Sequence, residues 1–280
     1  MGKTFRSVKK SDTKVYTVDK FGDSVCKVQL HGDSWRTRHD MFKWTLHEQS
    51  VWCDYKLGME PTNLFLPFIS QPDTFMQLPS RKRQGLIPDL NDVKRRTLMD
   101  VKTFHYGKIY RPIRFRAAIT CDTVRFRADQ VHTEMLRKAR MIDRVHNNWN
   151  PDSTIHGPVT RALLSYGVCE GLAVGAHGEC SPDIHNLIQR MAKRGAQRRY
   201  KEMGFKSTRD VKSTIVAQVR LSLGVEAVRG VARVRLYNLG TILAGSTSAM
   251  NATTRRAQAK ARFREQTDAY WSRYAYRNPE

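Results

Sequence analysis

A mixed α/β fold follows from three observations on the sequence. Two apolar runs, Thr62 to Ile69 and Val168 to Ala176, are too short for helices and read as buried strands. Two longer stretches, residues 34 to 56 and 124 to 146, place apolar residues three and four apart, the spacing of amphipathic helices. Between them two extended segments flank a polar turn, which predicts a β-hairpin. With 40% apolar and 27% charged residues over 280 positions, the chain is too apolar to be a solvated tail and long enough for one large or two modest cores.

In chain order, residues 1 to 34 alternate weakly and are rich in Lys and Asp, the pattern of a basic arm or short hairpin. Ser34 or Thr37 can cap the first helix, whose stripe is Met41, Phe42, Leu46, Val51 and Trp52 and which Gly58 and Pro61 end. After the strand at 62 to 69, a polar loop over 70 to 84 leads to the hairpin, with arms 85 to 90 and 97 to 104 and Asn91 to Arg96 as its turn. A basic connection (Arg111, Arg114, Arg116) precedes the helix at 124 to 146, whose apolar positions include Val131, Met135, Leu136, Ala139, Ile142 and Val145. Pro158 opens a short helix to Ser165, and Gly167 stops it before the strand at 168 to 176. Helices are then predicted over 182 to 194, 207 to 223 and 225 to 244. A small polar linker at 246 to 254 precedes a last helix at 255 to 274 that mixes arginines with Phe263, Tyr270, Trp271 and Tyr274. The organisation expected is an arm (1–34), an α/β domain with helical additions (35–245) and a basic aromatic C-terminal helix (246–280).

Charge narrows the partner. Forty-nine Lys+Arg against 26 Asp+Glu leave a formal charge of +23, which makes a compact domain repel itself unless a polyanion shares its surface, so nucleic acid is the expected partner. No run of 18 apolar residues and no apolar N-terminal segment is present, so neither a membrane span nor a secretory signal is expected. The basic N-terminus has the Ser and Thr of a transit peptide, but Asp12 and Asp19 argue against one. Five cysteines without a C-x-x-C pair fit neither a disulfide framework nor a structural zinc site. A nuclear or cytoplasmic protein with reduced thiols is the resulting expectation.

Chemistry concentrates at the hairpin. Pro88-Asp89 closes its first arm and Asp100-Val101-Lys102 lies on its second. Alternation along a strand puts Asp100 and Lys102 on one face and Met99 and Val101 on the other, toward the core. Two carboxylates and an ammonium then converge, the donor set that phosphodiester hydrolysis uses to hold Mg²⁺ and position a water. In these residues the chain resembles the PD-(D/E)XK, or restriction-endonuclease-like, nuclease superfamily. The order helix, strand, hairpin, helix, strand over about residues 35 to 195 is similar to its α-β-β-β-α-β core, a mixed sheet flanked by helices. The run from Gly171 to His185 is similar to segments of nuclease-like domains in eukaryotic mobile elements.

The resemblance implies that Asp89, Asp100 and the Val101 carbonyl hold Mg²⁺ or Mn²⁺, that Lys102 orients the attacking water, and that an acid of the first helix, Glu48 or Asp40, joins them. Chance matches weaken the motif by itself. The chain has four Pro-Asp pairs and three Asp-Val-Lys triplets, at 92, 100 and 210. Asp92 falls in the turn and Asp210 in a helix's first turn, where an acid favours the dipole, so only 89, 100 and 102 land on strands. His39, His47 and Lys43 show no metal spacing and read as surface polar residues. His177, Glu179, Asp183 and His185 cluster, but Ser181-Pro182-Asp183 reads as helix-capping chemistry. Arg137, Lys138, Arg140 and Arg144 on one helix, and Lys193, Arg194, Arg198 and Arg199 on another, are candidates to grip the phosphates of double-stranded DNA. The function expected is a Mg²⁺-dependent DNA endonuclease, with a homodimer allowed. The alternative is a non-catalytic nucleic-acid-binding or assembly protein on the same scaffold.

Overall fold

The computed structural model describes residues 4–8, 13–17, 34–61, 64–70, 86–103, 121–150, 154–175 and 178–245. The chain divides into two units, one of Met1–Arg38 with Arg229–Glu280 and one of His39–Val228. In the first, β1 (Thr4–Val8) and β2 (Thr13–Thr17) form an antiparallel hairpin with Thr4 opposite Thr17, the hairpin alternative of the N-terminal reading. The linker and helix expected over 246 to 280, the loop at 71 to 85 and the basic connection at 111 to 116 lie outside the described residues.

The second unit is mixed α/β. Helix α1 (Ser34–Trp52) buries Met41, Phe42 and Leu46, but Val51 is exposed. It stops four residues earlier than the predicted 56. Asp54 turns the chain at φ 54°, and the Tyr55 N–H closes onto the Ser50 carbonyl at 2.8 Å, a glycine-type helix ending without a glycine. The freed residues Leu57–Met59 become strand β3. The strand expected at 62 to 69 is corrected accordingly: Leu66–Phe68 is a 3₁₀ turn, with Pro67 lacking the N–H a ladder needs; Phe65 and Ile69 are buried, and Leu64 and Leu66 pack partly buried against the same cluster. Strand β4 is Leu90–Asp92 and β5 is Thr97–Thr103, so the hairpin arms are shifted and shortened relative to 85 to 90 and 97 to 104. The Asp92 carboxylate accepts the Arg95 N–H at 3.1 Å and the Tyr55 hydroxyl, which fastens the turn.

Helix α2 (Cys121–His146) and the short α3 (Pro158–Leu164) follow, then β6 (Glu170–Val174), α4 (Pro182–Arg199) and α5 (Thr208–Gly245). One sheet in the order β3-β4-β5-β6 results, antiparallel except for the parallel pair β5 and β6, which α2 and α3 connect. A right-handed helical crossover is the usual route between parallel neighbours. The two helices expected at 207 to 223 and 225 to 244 are one. Val211, Ile215, Val219, Leu223, Ala227 and Val231 are all buried at every fourth position, so the stripe passes through Gly224 in phase and nothing ends the helix there.

The sheet is covered on both faces. Leu90, Met99, Val101, Leu172 and Val174 pack with Phe42 and Leu46 of α1, with Ile184, Leu187, Ile188 and Met191 of α4, and with Val211, Ile215 and Val219 of α5. On the opposite face Leu98 packs with Val131, Met135, Ala139 and Ile142 of α2, and Ala173 with Val124 and Ala128. A Cβ at Gly171 would stand 2.3 Å from the Ala128 carbonyl oxygen, so glycine there lets α2 lie directly on the sheet. Among the described residues no helix is long and apolar enough to cross a membrane.

Candidate functional site

Strand β4 begins at Leu90, whose partner on β5 is Met99. One residue further out the ladder ends, and Asp89 and Asp100 lie opposite each other with their carboxyl groups in hydrogen-bond contact. Two bonds replace the missing rungs: the Asp89 side chain accepts the Val101 N–H at 2.7 Å, and its carbonyl accepts the Glu60 N–H at 3.0 Å. Lys102, two residues on and therefore on the same face, is ion-paired to Asp100 and lies 3.6 Å from Glu134 of α2. The structure thus brings together all three residues of the expected set, Asp89, Asp100 and Lys102, from two arms of one hairpin.

Helix α1 completes the cluster. His39 Nε2 lies 3.0 Å from Asp89 Oδ2 while its Nδ1 lies 3.0 Å from Asp40 Oδ1. One turn on, Lys43 is buried, bonded to Glu60, 3.4 Å from Asp40 and 4.0 Å from Asp89 Oδ1. The reading of His39 and Lys43 as surface polar residues is therefore corrected. Their spacing of four was the available signal, since it puts both on one helix face. Asp40 reaches the site through His39. Glu48 is half a turn away from His39 around the helix, and its neighbour is Glu226. Burial, together with that second carboxylate, pushes its pKa up to about 7. Val101 stands opposite Leu172 of β6, but its N–H points the other way, to Asp89, and the carbonyl of the same residue leaves the strand on that same side.

The charges are strongly coupled. Burial works against a charge on His39, but its bonds to Asp40 and Asp89 and their negative charges prevail and raise its pKa to about 9. Burial likewise opposes ionisation of Asp89, yet the His39 bond and charge and the Val101 N–H hold its pKa down at about 2. Asp100 is moved up, by burial and by the Asp89 charge, against the pull of Lys102. The two carboxyl groups are therefore pushed in opposite directions, Asp89 down and Asp100 up.

The donor set fits a hard dication. Five carboxylates (Asp40, Glu60, Asp89, Asp100, Glu134) face three cations (His39, Lys43, Lys102), an excess of two negative charges when all are ionised. Among the described residues no three His, Cys, Asp or Glu side chains form a ready-made cage. Mg²⁺ does not need one, because it keeps several waters and binds through one or two carboxylates.

The other expected residues lie elsewhere. Arg137, Arg140 and Arg144 are exposed on α2, and Lys138 is half-buried, on the helix that supplies Glu134. Arg194 and Arg198 hold Asp54 at 3.0 and 2.9 Å, Arg199 lies over the Trp52 ring, and Lys193 is exposed. These are residues of α4, on the sheet face opposite Lys102 and Glu134. Ser181 and Asp183 do stand at the start of α4, but the hydroxyl makes no cap bond. Ser181 Oγ donates to the Gly171 carbonyl at 2.7 Å and Asp183 accepts the Gly171 N–H at 2.9 Å, so both close the free edge of β6. A comparison with known protein families, curated proteins and solved structures finds no match to this chain.

Proposed function

We propose that the chain is a Mg²⁺-dependent DNA endonuclease with a restriction-endonuclease-like core. One observation carries the reading: Asp89, Asp100 and Lys102, matched to the nuclease signature by residue type and spacing, meet at the end of a hairpin where the ladder opens. The element order α1, β3, β4, β5, α2, β6 supports it, because it is the α-β-β-β-α-β order of that superfamily with α3 inserted. Asp89 and Asp100 would hold Mg²⁺, and the chemistry the ion would supply there is polarisation of a phosphate and acidification of a water. The chain's own residues would do the rest. His39 and the Val101 N–H fix the rotamer of Asp89, and Lys102, its charge retained, holds the water and the developing negative charge. The exposed arginines of α2 would seat the phosphate backbone.

A second reading, a nuclease-like scaffold that only binds nucleic acid, draws support from the same cluster. Lys102 is already engaged by Asp100 and Glu134, and His39 and Lys43 already balance part of the acid charge. The two part on one experiment. Supercoiled plasmid incubated with the purified chain and Mg²⁺ or Mn²⁺ is expected to be nicked or linearised. Asp100→Asn and Lys102→Ala are expected to lower the rate by about 10²-fold or more while still binding DNA. Binding by every variant with cutting by none would leave the scaffold reading.

A further inference from the structure

The C-terminal half of α2 carries a second feature that the catalytic cluster does not use. Arg137, Arg140 and Arg144 rim a groove of about 330 Å³ whose apolar lining includes Met141, Trp149 and Ile155. None of the three arginines has an ion pair among the described residues. The described carboxylate among the lining residues, Asp143, makes no ion pair with them. It is buried and saturated, accepting the Val159 and Thr160 N–H groups at 2.8 Å each, the Thr160 hydroxyl at 2.7 Å and the Asn147 amide at 2.9 Å. Trp149 is fixed in place by its indole N–H on the Ile155 carbonyl at 3.0 Å and its backbone N–H on the Asp143 carbonyl at 3.0 Å. Met141 and Ile155 are about half exposed beside it, at 51% and 60%.

Three unpaired guanidinium groups around a held aromatic ring and two exposed apolar side chains are a complementary surface for a group that is anionic at one end and flat and apolar at the other. A nucleotide has that shape of chemistry. The volume, at the small end of ligand sites, is of the order of a single nucleotide. We infer that the groove at the end of α2 binds a single unpaired nucleotide of a nucleic-acid strand, its phosphate among Arg137, Arg140 and Arg144 and its base against Trp149, Met141 and Ile155. Stacking on aromatic side chains with cations along the backbone is the general mode of single-strand binding. At 1.5 Å of rise per residue, Arg140 and Arg144 lie about 9 and 15 Å along the helix from Glu134, beside Lys102. At about 3.4 Å per phosphate of one strand, that is some three to four nucleotides from the proposed cut. This last step, a strand with an unpaired nucleotide a few positions from the scissile bond, rests on the nuclease reading. The chemistry of the groove does not.

Fluorescence anisotropy in chelator, where cutting plays no part, tests it with labelled oligonucleotides of about eight nucleotides, single-stranded DNA, single-stranded RNA and blunt duplex DNA of one sequence. The wild type is expected to bind one or both single strands. Trp149→Ala, and Arg140→Gln with Arg144→Gln, should each weaken that binding about tenfold, and Trp149→Phe should recover most of the loss. On blunt duplex, Trp149→Ala should cost less than about threefold, since a paired base offers no free face. Circular dichroism of each variant separates lost binding from lost folding. Equal losses on duplex and single strand by Trp149→Ala, no loss on single strand by either variant, or no single-strand binding by the folded wild type would each overturn the inference. Single-strand binding by a wild type that does not cut with Mg²⁺ would remove the nuclease reading and leave the groove standing.

Discussion

At Asp100 burial and a second carboxylate push the pKa up, while at Asp89 a histidine and a backbone N–H hold it down against burial. That division makes the pair responsive to a cation. Adding Mg²⁺ is expected to raise the thermal midpoint of the wild-type chain and to leave Asp100→Asn unmoved, because a ligand that binds only the folded state stabilises it by mass action. An equal rise in both would remove Asp100 from the metal. His39 sets a pH limit of its own. With a folded pKa of about 9 against about 6.5 unfolded, its protonated form contributes stability in full below about pH 6.5, and the contribution is lost as pH rises through about 9. His39→Gln should therefore flatten the fall of the thermal midpoint between those values. An unchanged slope would show that Asp40 and Asp89 do not hold the imidazolium. The hairpin acids were legible from residue type and spacing, whereas His39, Lys43 and Glu134 were not. Each owes its role to Asp89 or Lys102, between 32 and 50 residues away, and the spacing of four that puts His39 and Lys43 on one helix face does not say what that face meets.

Among the elements, two glycines illustrate opposite constraints. Gly171, opposite Asp100 on β6, lies against the α2 backbone, with the Ala128 carbonyl oxygen and Cα at 2.3 and 2.4 Å from any added Cβ. Gly171→Ala should cost about 3 kcal/mol or more, since backbone cannot move aside as a side-chain tip can, and α2 carries Glu134 and the arginines with it. Gly224 in α5 has nothing within 4 Å of an added Cβ. Gly224→Ala should raise stability by up to about 1 kcal/mol through helix propensity alone. Chemical unfolding of the two variants checks both signs, and a destabilising Gly224→Ala would mean that the helix needs its glycine. The misplaced first strand has a similar lesson. A Pro in Thr62 to Ile69 was evidence against a strand, and the true one, Leu57–Met59, is three residues long and too short to show a period.

For the whole molecule, the charge of +23 is unevenly used. Arg194 and Arg198 are spent on Asp54, and Lys43 and Lys102 on the acid cluster, while Arg137, Arg140 and Arg144 remain unpaired among the described residues. Duplex binding by the intact chain should then weaken steeply with salt, with a slope of log affinity on log salt of about −3 or steeper. Replacing Arg137, Arg140 and Arg144 by Gln should make that slope shallower by about two to three, and an unchanged slope would place the DNA on another face. Of the two helices that carry the basic candidates, α2 borders the Asp89 and Asp100 pair while α4 lies across the sheet.

By itself the sequence determined the class of fold, the hairpin, the helix periods and the three residues most exposed to a chemical reading, because alternation, turn chemistry and spacing are local properties of the chain. The tertiary structure decided what those residues face. It put His39 and Lys43 against Asp89, Glu134 against Lys102 and Glu48 against Glu226, and it joined two predicted helices through Gly224. Burial and electrostatic coupling depend on distances between segments far apart in sequence. Which carboxyl is pushed up in pKa and which is held down, and which arginines carry no ion pair among the described residues, are therefore settled only when the chain has folded.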